Sequence, residues 1–239
     1  MGIFRKKKKQ EEIVCSAVVV AAGASTRMGM DKLMLPLGDV PVIVRTLQVI
    51  QAAPSVGEIV VVTREDLVIP IGQLCQEFGL TKVSKVVRGG ETRMHSVRLG
   101  TLEVSRDASL IAVHDGARPL VSVDVIEKAI VQAQKSGAAA PAVPVKDTIK
   151  VVSGDIVEKT PDRVTLRAVQ TPQVFESSLI RAALQKALDD GAELTDDCSA
   201  VERLGMKVVL TEGSERNIKL TTPADLLLAE ILLEGSGMP

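Results

Sequence analysis

Residues 13–32 read IVCSAVVVAAGASTRMGMDK, an apolar run that passes directly into a loop of small residues. The run is rich in β-branched valine, which favours a buried β-strand. In the loop, small residues let backbone N–H groups approach a phosphate closely, and Arg27 and Lys32 add two cations. The loop has neither the GxGxxG pattern of dinucleotide sites nor the Gly-Lys-Ser/Thr of a P-loop. This stretch therefore predicts a strand and a polyphosphate-binding loop, with a plain glycine turn as the alternative.

Apolar runs of the same kind recur along the chain and alternate with segments of helical periodicity. They span residues 58–63, 83–87, 110–114, 138–143 and 206–210. Helical spacing is clearest at Val123, Ile126 and Ile130, and Gly137 can end that helix. The repeated order of strand, helix and strand predicts an α/β fold, a Rossmann-like, mostly parallel sheet with helices on both faces. In such folds, ligands gather at the carboxyl ends of the strands.

Two helix starts are marked by local signals. Pro41 suits the first turn of a helix that continues to Ile50, because the first turn needs no intrahelical N–H. Thr222, Pro223 and Asp225 together predict a capping-box start for the last helix. Both signals agree with the alternating order of strands and helices.

One stretch breaks this order. Two short runs, 148–152 and 156–160, flank a Ser-Gly-Asp turn, which predicts a β-hairpin. We expect the hairpin to protrude as an arm at about residues 147–163 from a single domain at residues 13–234. An arm that leaves a compact domain has apolar residues to cover. We therefore expect it to dock on a second subunit and to form a homodimer.

Composition and charge exclude several classes of function. The net charge of -1 and the 1% aromatic content favour neither nucleic-acid binding nor base stacking. Cys15, Cys75 and Cys198 are widely spaced, which indicates neither a disulfide framework nor a zinc site. The basic head at residues 1–12 lacks the apolar stretch of a signal peptide, so we expect a flexible, solvated tail. No apolar run of 18 residues is available to span a membrane, and we expect a cytoplasmic protein.

Six further segments follow in order along the chain. They are RGGETRMHSV at residues 88–97, VHDGARP at 113–119, PVKDT at 144–148, TPQ at 171–173, TDD at 195–197 and NIK at 217–219. Together with the glycine loop, this set resembles the 2-C-methyl-D-erythritol 4-phosphate cytidylyltransferases, a family of sugar-phosphate nucleotidyltransferases in the non-mevalonate isoprenoid pathway. The resemblance covers about residues 14–233. It implies a nucleotidyltransferase domain that uses Mg²⁺ to transfer CMP from CTP to a small polyol phosphate, 2-C-methyl-D-erythritol 4-phosphate, releasing pyrophosphate.

The resemblance also implies roles for individual residues. Arg27 and Lys32 would be the catalytic cations, and Asp115 would bind the metal. The residues that hold CTP would be Ala21, Ala22, Gly23, Gly90, Glu91 and Ser96. The residues that hold the acceptor would be Arg118, Thr148, Arg163, Thr171 and Lys219. Because Arg163 lies at the end of the arm, it would serve the site of the neighbouring subunit.

Two residues have a physical interpretation of their own. Asp115 follows an apolar strand, where a carboxylate can hold Mg²⁺ against triphosphate oxygens, although Asp before Gly also suits a turn. His114 is more typical of a buried, hydrogen-bonded strand end than of a general base. A phosphate monoester is already anionic near neutral pH, so the reaction needs no strong base.

Two positions depart from the family pattern, and two other functions stay open. Arg216 stands where some relatives carry an acidic residue, and Lys32 follows Met-Asp where some relatives have proline. A ribitol 5-phosphate cytidylyltransferase would share the CTP residues, and a non-catalytic nucleotide-binding protein would keep the fold. Retention of the two catalytic cations together with Asp115 and Lys219 argues against the second alternative.

Overall fold

The computed structural model describes residues 15–23 and 31–235 of the 239-residue chain. The predictions for the basic head and for Arg27 fall on residues outside this part. The strands are β1 (Cys15–Ala21), β2 (Pro36–Leu37), β3 (Val40–Pro41), β4 (Val56–Thr63), β5 (Val83–Arg88), β6 (Leu110–Asp115), β7 (Ala138–Pro144), β8 (Val151–Ser153), β9 (Ile156–Lys159), β10 (Arg167–Val169), β11 (Gln173–Glu176) and β12 (Val209–Glu212). The helices are α1 (Val42–Ala52), α2 (Glu65–Glu77), α3 (Arg93–Glu103), α4 (Val123–Ser136), α5 (Ser177–Asp189), α6 (Asp197–Arg203) and α7 (Pro223–Glu234).

The largest sheet in this part of the chain has eight strands in the order β10-β7-β11-β6-β1-β4-β5, with β12 beside β7. β1 pairs in parallel with β4 and β6, and β4 pairs in parallel with β5. β11 runs antiparallel between β6 and β7. The predicted mostly parallel sheet is therefore confirmed, and β11 is an interruption that the sequence patterns did not predict.

Helices cover both faces of the sheet, as predicted. Val19 of β1 belongs to a hydrophobic cluster shared with α1, α2 and α4. Its neighbour Val18 belongs to a second cluster, shared with α3, α5 and α6. Successive side chains of a strand point to opposite faces, so each cluster fills one face. Full burial of one such side chain contributes about 1.5–3 kcal/mol, and these clusters stabilise the strands whose ends form the site.

The predicted helix ends are confirmed at α4 and α7, with one correction at α1. Gly137 follows α4 in the left-handed conformation, with φ of 78°. The Thr222 hydroxyl accepts from the Asp225 N–H, and the Asp225 carboxylate accepts from the Thr222 N–H, which is a capping box. Pro41 lies just before α1 instead of in its first turn, because it pairs with Pro36 and keeps an extended ψ of 143°. None of the helices in residues 15–23 and 31–235 is long and apolar enough to cross a membrane.

The predicted hairpin is present, with shorter strands than expected. β8 and β9 pair antiparallel in a sheet of their own, and Gly154 turns between them with φ of 56°. All residues of both strands are exposed. The last predicted strand is also displaced, since β12 begins at Val209 instead of Met206. The Met206 N–H donates to the Val201 carbonyl, so Met206 still belongs to the turn that follows α6.

Candidate active site

A cavity of about 480 Å³ opens at the carboxyl ends of β1 and β6. Its wall is formed by Val20, Ala21, Ala22, Gly23, Lys32, Leu33, Gly90, Glu91, Thr92, Arg93, Ser96, Asp115, Ala117, Lys219 and Thr221. Parallel sheets of this class bind ligands at this edge, and the volume lies in the range of small-molecule sites. Most of the residues that the sequence assigns to CTP and to catalysis therefore meet in one place.

Gly89 brings the second loop of the cavity against the first. A Cβ atom on Gly89 would stand 2.7 Å from Ser96 Oγ and 2.9 Å from Ala22 Cβ, so only glycine allows this contact. Ser96 Oγ accepts from the Gly90 N–H at 3.1 Å and donates to the Thr92 carbonyl at 2.9 Å. The Ser96 hydroxyl is therefore used to hold the loop at Gly90, whose backbone lines the cavity.

Asp115, the last residue of β6, is a buried carboxylate among three cations. Its Oδ2 lies 2.9 Å from Lys219 Nζ and 3.6 Å from Arg118 Nε, and its Oδ1 lies 3.5 Å from Arg93 Nη2. Burial alone would raise the pKa of Asp115, but Lys219 and Arg93 outweigh burial and lower the pKa to about 2. Asp115 is therefore ionised at neutral pH and faces the cavity.

The backbone of Asp115 is fixed by two buried residues behind it. The Asp115 N–H donates to Thr171 Oγ1 at 3.1 Å, and this oxygen lies 3.1 Å from His114 Nδ1. His114 Nε2 lies 3.3 Å from the Arg118 carbonyl, so both ring nitrogens have partners. Burial lowers the pKa of His114 to about 4, and the ring is neutral near pH 7. The interpretation of His114 as a buried, hydrogen-bonded strand end agrees with this geometry.

Arg93 is a cavity residue to which the sequence interpretation assigned no role. It is the first residue of α3, which the Thr92 side chain caps by accepting from the His95 N–H. Its guanidinium donates from Nη1 and Nη2 to the two oxygens of Asp197, at 2.9 and 2.8 Å. Arg93 lies in the motif at residues 88–97 and Asp197 in the motif at residues 195–197. Membership of these motifs was the one sequence signal that could have identified the two residues as part of the site.

Several residues with predicted roles lie away from the cavity. Arg118 is mostly buried behind Asp115 and donates to the Asn217 carbonyl at 2.6 Å. Thr171 is buried under the end of β6. Thr148 and Arg163 are exposed near the hairpin, where Arg163 donates to the Lys146 carbonyl at 2.6 Å. Within the described residues, the cavity wall thus does not include these four predicted acceptor residues, whereas Lys219 does lie on it.

The donor set suits a magnesium ion that arrives with a nucleotide. Residues 15–23 and 31–235 contain no group of three or more His, Cys, Asp or Glu side chains placed to hold a metal. Mg²⁺ is commonly bound by one or two carboxylates together with substrate phosphates, and ionised Asp115 supplies such a carboxylate. Arg216 donates to the Leu232 carbonyl of α7, so this departure from the family pattern lies outside the cavity wall.

Comparison with known proteins places this geometry in a family. The family model described as 2-C-methyl-D-erythritol 4-phosphate cytidylyltransferase matches residues 15–235. Relatives of that name from Caldanaerobacter subterraneus and Geobacillus kaustophilus are 46% and 47% identical over 220 and 214 residues, which is 89% of this chain in each case and 95% and 93% of theirs.

Solved structures agree with the relatives. The 4-diphosphocytidyl-2C-methyl-D-erythritol synthase of Anaerococcus prevotii is 30% identical and superposes with a TM-score of 0.83 over 92% of this chain and 98% of that one. The 2-C-methyl-D-erythritol 4-phosphate cytidylyltransferase of Thermus thermophilus is 34% identical, with a TM-score of 0.75 over 91% and 98%. With matches this extensive in both sequence and structure, the chain belongs to the 2-C-methyl-D-erythritol 4-phosphate cytidylyltransferase family.

Proposed function

We propose that this protein transfers CMP from CTP to 2-C-methyl-D-erythritol 4-phosphate and releases pyrophosphate. The observation that carries the proposal is the ion pair of Asp115 and Lys219 in a cavity that is also lined by the small residues Ala22, Gly23 and Gly90 of two loops. Such a site offers a carboxylate for a divalent cation and an ammonium for a phosphate. Both groups are needed when two anionic substrates must meet.

The loops after β1 and β5 supply the nucleotide site. The small residues Ala21, Ala22 and Gly23 allow backbone N–H groups to approach the triphosphate. The backbone of Gly90 and Glu91 would face the cytosine ring, with Ser96 holding this loop in place. The first turn of α3 begins beside this loop, and its N-terminal dipole favours an anion.

The reaction is an in-line attack of the acceptor's phosphate oxygen on the α-phosphorus of CTP. The new P–O bond forms as the bond to the pyrophosphate oxygen breaks, and pyrophosphate leaves with that electron pair. The acceptor is a phosphate monoester, whose second pKa is near 6, so the attacking oxygen is already anionic near neutral pH. Neutral His114 therefore has no proton to remove. Arg27 and Lys32 would stabilise the negative charge of the transition state, where one such donor contributes about 10²- to 10³-fold in rate.

Asp115 is the residue that would hold Mg²⁺. Bound there, the ion would neutralise phosphate oxygens of CTP. Lys219 shares Oδ2 of Asp115 with Arg118 and is 42% exposed, so its ammonium can turn to the acceptor phosphate.

In a homodimer, the region of the hairpin formed by β8 and β9 would contribute residues to the active site of the other subunit. Its side chains include Ile156, which is 74% exposed, and Val164 just beyond it is 76% exposed. Apolar side chains this exposed are suited to burial against a second subunit. Thr148 and Arg163 lie on this same part of the chain, and we propose that they reach the cavity of the partner.

Pyrophosphate release tests the proposed reaction. CTP, Mg²⁺ and 2-C-methyl-D-erythritol 4-phosphate should give turnover, and Lys32→Ala and Arg27→Ala should each reduce it about 10²- to 10³-fold. Lys128→Ala is the matched control, because Lys128 pairs with Asp124 on the outer face of α4, away from the cavity. A preference for ribitol 5-phosphate would change the acceptor, and no release with either acceptor would favour a non-catalytic nucleotide-binding protein.

Subunit mixing tests whether Arg163 acts across the dimer. Arg163→Ala and Lys32→Ala proteins should each be nearly inactive alone. After random reassociation of an equal mixture, half of the dimers carry one site with an intact Lys32 and an intact partner arm, so about a quarter of wild-type activity should return. If Arg163 serves its own subunit, the mixture will stay inactive.

A further inference from the structure

Asp197 is a fully buried carboxylate whose charge is balanced by one side chain of the cavity. It is 1% exposed, and burial of a charge costs several kcal/mol unless the charge is paired and hydrogen-bonded. Both of its oxygens accept from the Arg93 guanidinium, at 2.9 and 2.8 Å. The two residues therefore form an ion pair with a fixed, bidentate geometry.

The ion pair is attached to the same sheet that carries Asp115. Gln173 of β11 is 2% exposed, and its Oε1 accepts from the N–H groups of Asp197 and Cys198, each at 3.0 Å. β11 pairs with β6, and Asp115 is the last residue of β6. Asp197 consequently has a fixed position relative to Asp115, and Arg93 bridges the space between them.

The two oxygens of Asp115 face cations that differ in conformational mobility. Oδ1 faces Arg93 Nη2, which Asp197 holds in place. Oδ2 faces Lys219, whose ammonium is 42% exposed at the end of a flexible four-carbon stem. Arg118 also approaches Oδ2, but its hydrogen bond goes to the Asn217 carbonyl. One oxygen of Asp115 is thus held by a fixed partner, and the other is held by a partner that can leave.

We propose that Asp197 is a positioning residue of the CTP site, which acts through Arg93 to keep Oδ1 of Asp115 engaged and Oδ2 directed to the substrate side. Lys219 would then be able to leave Oδ2 for a phosphate of CTP, and Asp115 would be the residue that holds the divalent cation. This inference rests on the proposed function, since it concerns binding of CTP with a metal. Without the Asp197 charge, Arg93 is free to turn into the cavity and Asp115 loses its defined orientation.

Asp197→Asn tests the inference, because it keeps the size of the side chain and removes its charge. CTP binding is measured by titration calorimetry, once with Mg²⁺ and once with EDTA. We expect the affinity in Mg²⁺ to fall about 10- to 100-fold, as for other residues that orient metal ligands, with a much smaller change in EDTA. Asp190→Asn is the matched control, because Asp190 also pairs with an arginine, Arg203 of α6, and does not line the cavity. It should leave the magnesium dependence of CTP binding unchanged.

A second variant covers the case in which Asp197→Asn does not fold. Arg93→Lys keeps a cation beside Asp197 but loses the two-pronged contact, and we expect the same loss specific to Mg²⁺. An equal loss of affinity in Mg²⁺ and in EDTA, or the same effect from Asp190→Asn, would overturn the positioning role and leave the proposed reaction intact. Wild-type protein that binds no CTP under either condition would instead contradict the proposed function.

Discussion

Two carboxylates lie at opposite ends of the central strands and are stabilised by different kinds of group. Glu58, near the amino end of β4, accepts from the Ser16 and Ser84 hydroxyls and from the Ser105 N–H, each at 2.8 Å. Burial alone would raise the pKa of Glu58, but these hydrogen bonds outweigh burial and lower it. Asp115, at the carboxyl end of β6, is instead surrounded by charged side chains.

The difference separates a carboxylate that holds the fold from one that is available for chemistry. Neutral donors close to Glu58 form hydrogen bonds with both of its oxygens. This arrangement gives Glu58 a structural role and does not form a ligand site. Cations around Asp115 keep it ionised, and one of them, Lys219, is exposed enough to turn to a ligand. A buried carboxylate in a cavity with such partners is a strong candidate for a functional site.

The largest expected effect comes from neutralising Asp115. Asp115→Asn should reduce the kcat/KM for pyrophosphate release about 10²- to 10³-fold, because the carboxylate proposed to hold Mg²⁺ loses its charge. Glu58→Gln is the matched control, and its kcat/KM should equal that of the wild type. Equal losses in the two variants would show that the two ends of the sheet do not differ as proposed.

A single helix links the two carboxylates, and one glycine sets its distance from the sheet. α3 begins at Arg93 beside Asp115, and Ser105 follows its end beside Glu58. A Cβ on Gly100 would collide with Val18 and stand 2.7 Å from Val62 Cγ2.

Gly100→Ala should therefore displace α3 and disturb both ends together. We expect a loss of about 1–3 kcal/mol in the free energy of unfolding, together with reduced activity. Gly72→Ala in α2 serves as the control, since a Cβ there would meet no atom within 4 Å. It should be neutral or slightly stabilising in chemical denaturation. If Gly100→Ala is as stable as Gly72→Ala, the close approach of α3 has no energetic importance.

Features that depend on consecutive residues could be predicted from the sequence, and contacts between distant residues could not. The strand β1, the hairpin and the position of Asp115 follow from local patterns, since each depends on a few consecutive residues. β11 escaped prediction because Gln173–Glu176 is too short to show an alternation. The pairing of Arg93 with Asp197 joins residues 104 positions apart, and no spacing rule reaches across that separation.

A smaller effect is expected when Glu58 loses its charge. Glu58→Gln keeps the size of the side chain but replaces one carboxylate oxygen with an amide nitrogen. The nitrogen cannot accept the hydrogen bond that the oxygen accepted. We expect a loss of about 1–2 kcal/mol in the free energy of unfolding, measured by urea denaturation at neutral pH. Glu103→Gln is a suitable control, because that carboxylate forms an exposed pair with Lys85. A similar loss in both variants would mean that Glu58 is no more than another surface charge.

The smallest expected effect is the pH dependence of the difference in free energy of unfolding between the wild type and Glu58→Gln. The pKa of folded Glu58 lies below its ordinary value of 4.5, so the folded state binds a proton less readily than the unfolded state. The stability that Glu58 contributes is therefore complete above the ordinary pKa and is lost as the pH falls through the lower, folded value. Glu58→Gln cannot titrate, so the gap between wild type and variant should be constant near neutral pH and should narrow once the pH drops below 4.5. Urea denaturation of both proteins at several pH values measures the gap, and a gap that stays constant in acid would show that the hydrogen bonds of Glu58 do not favour its ionised form.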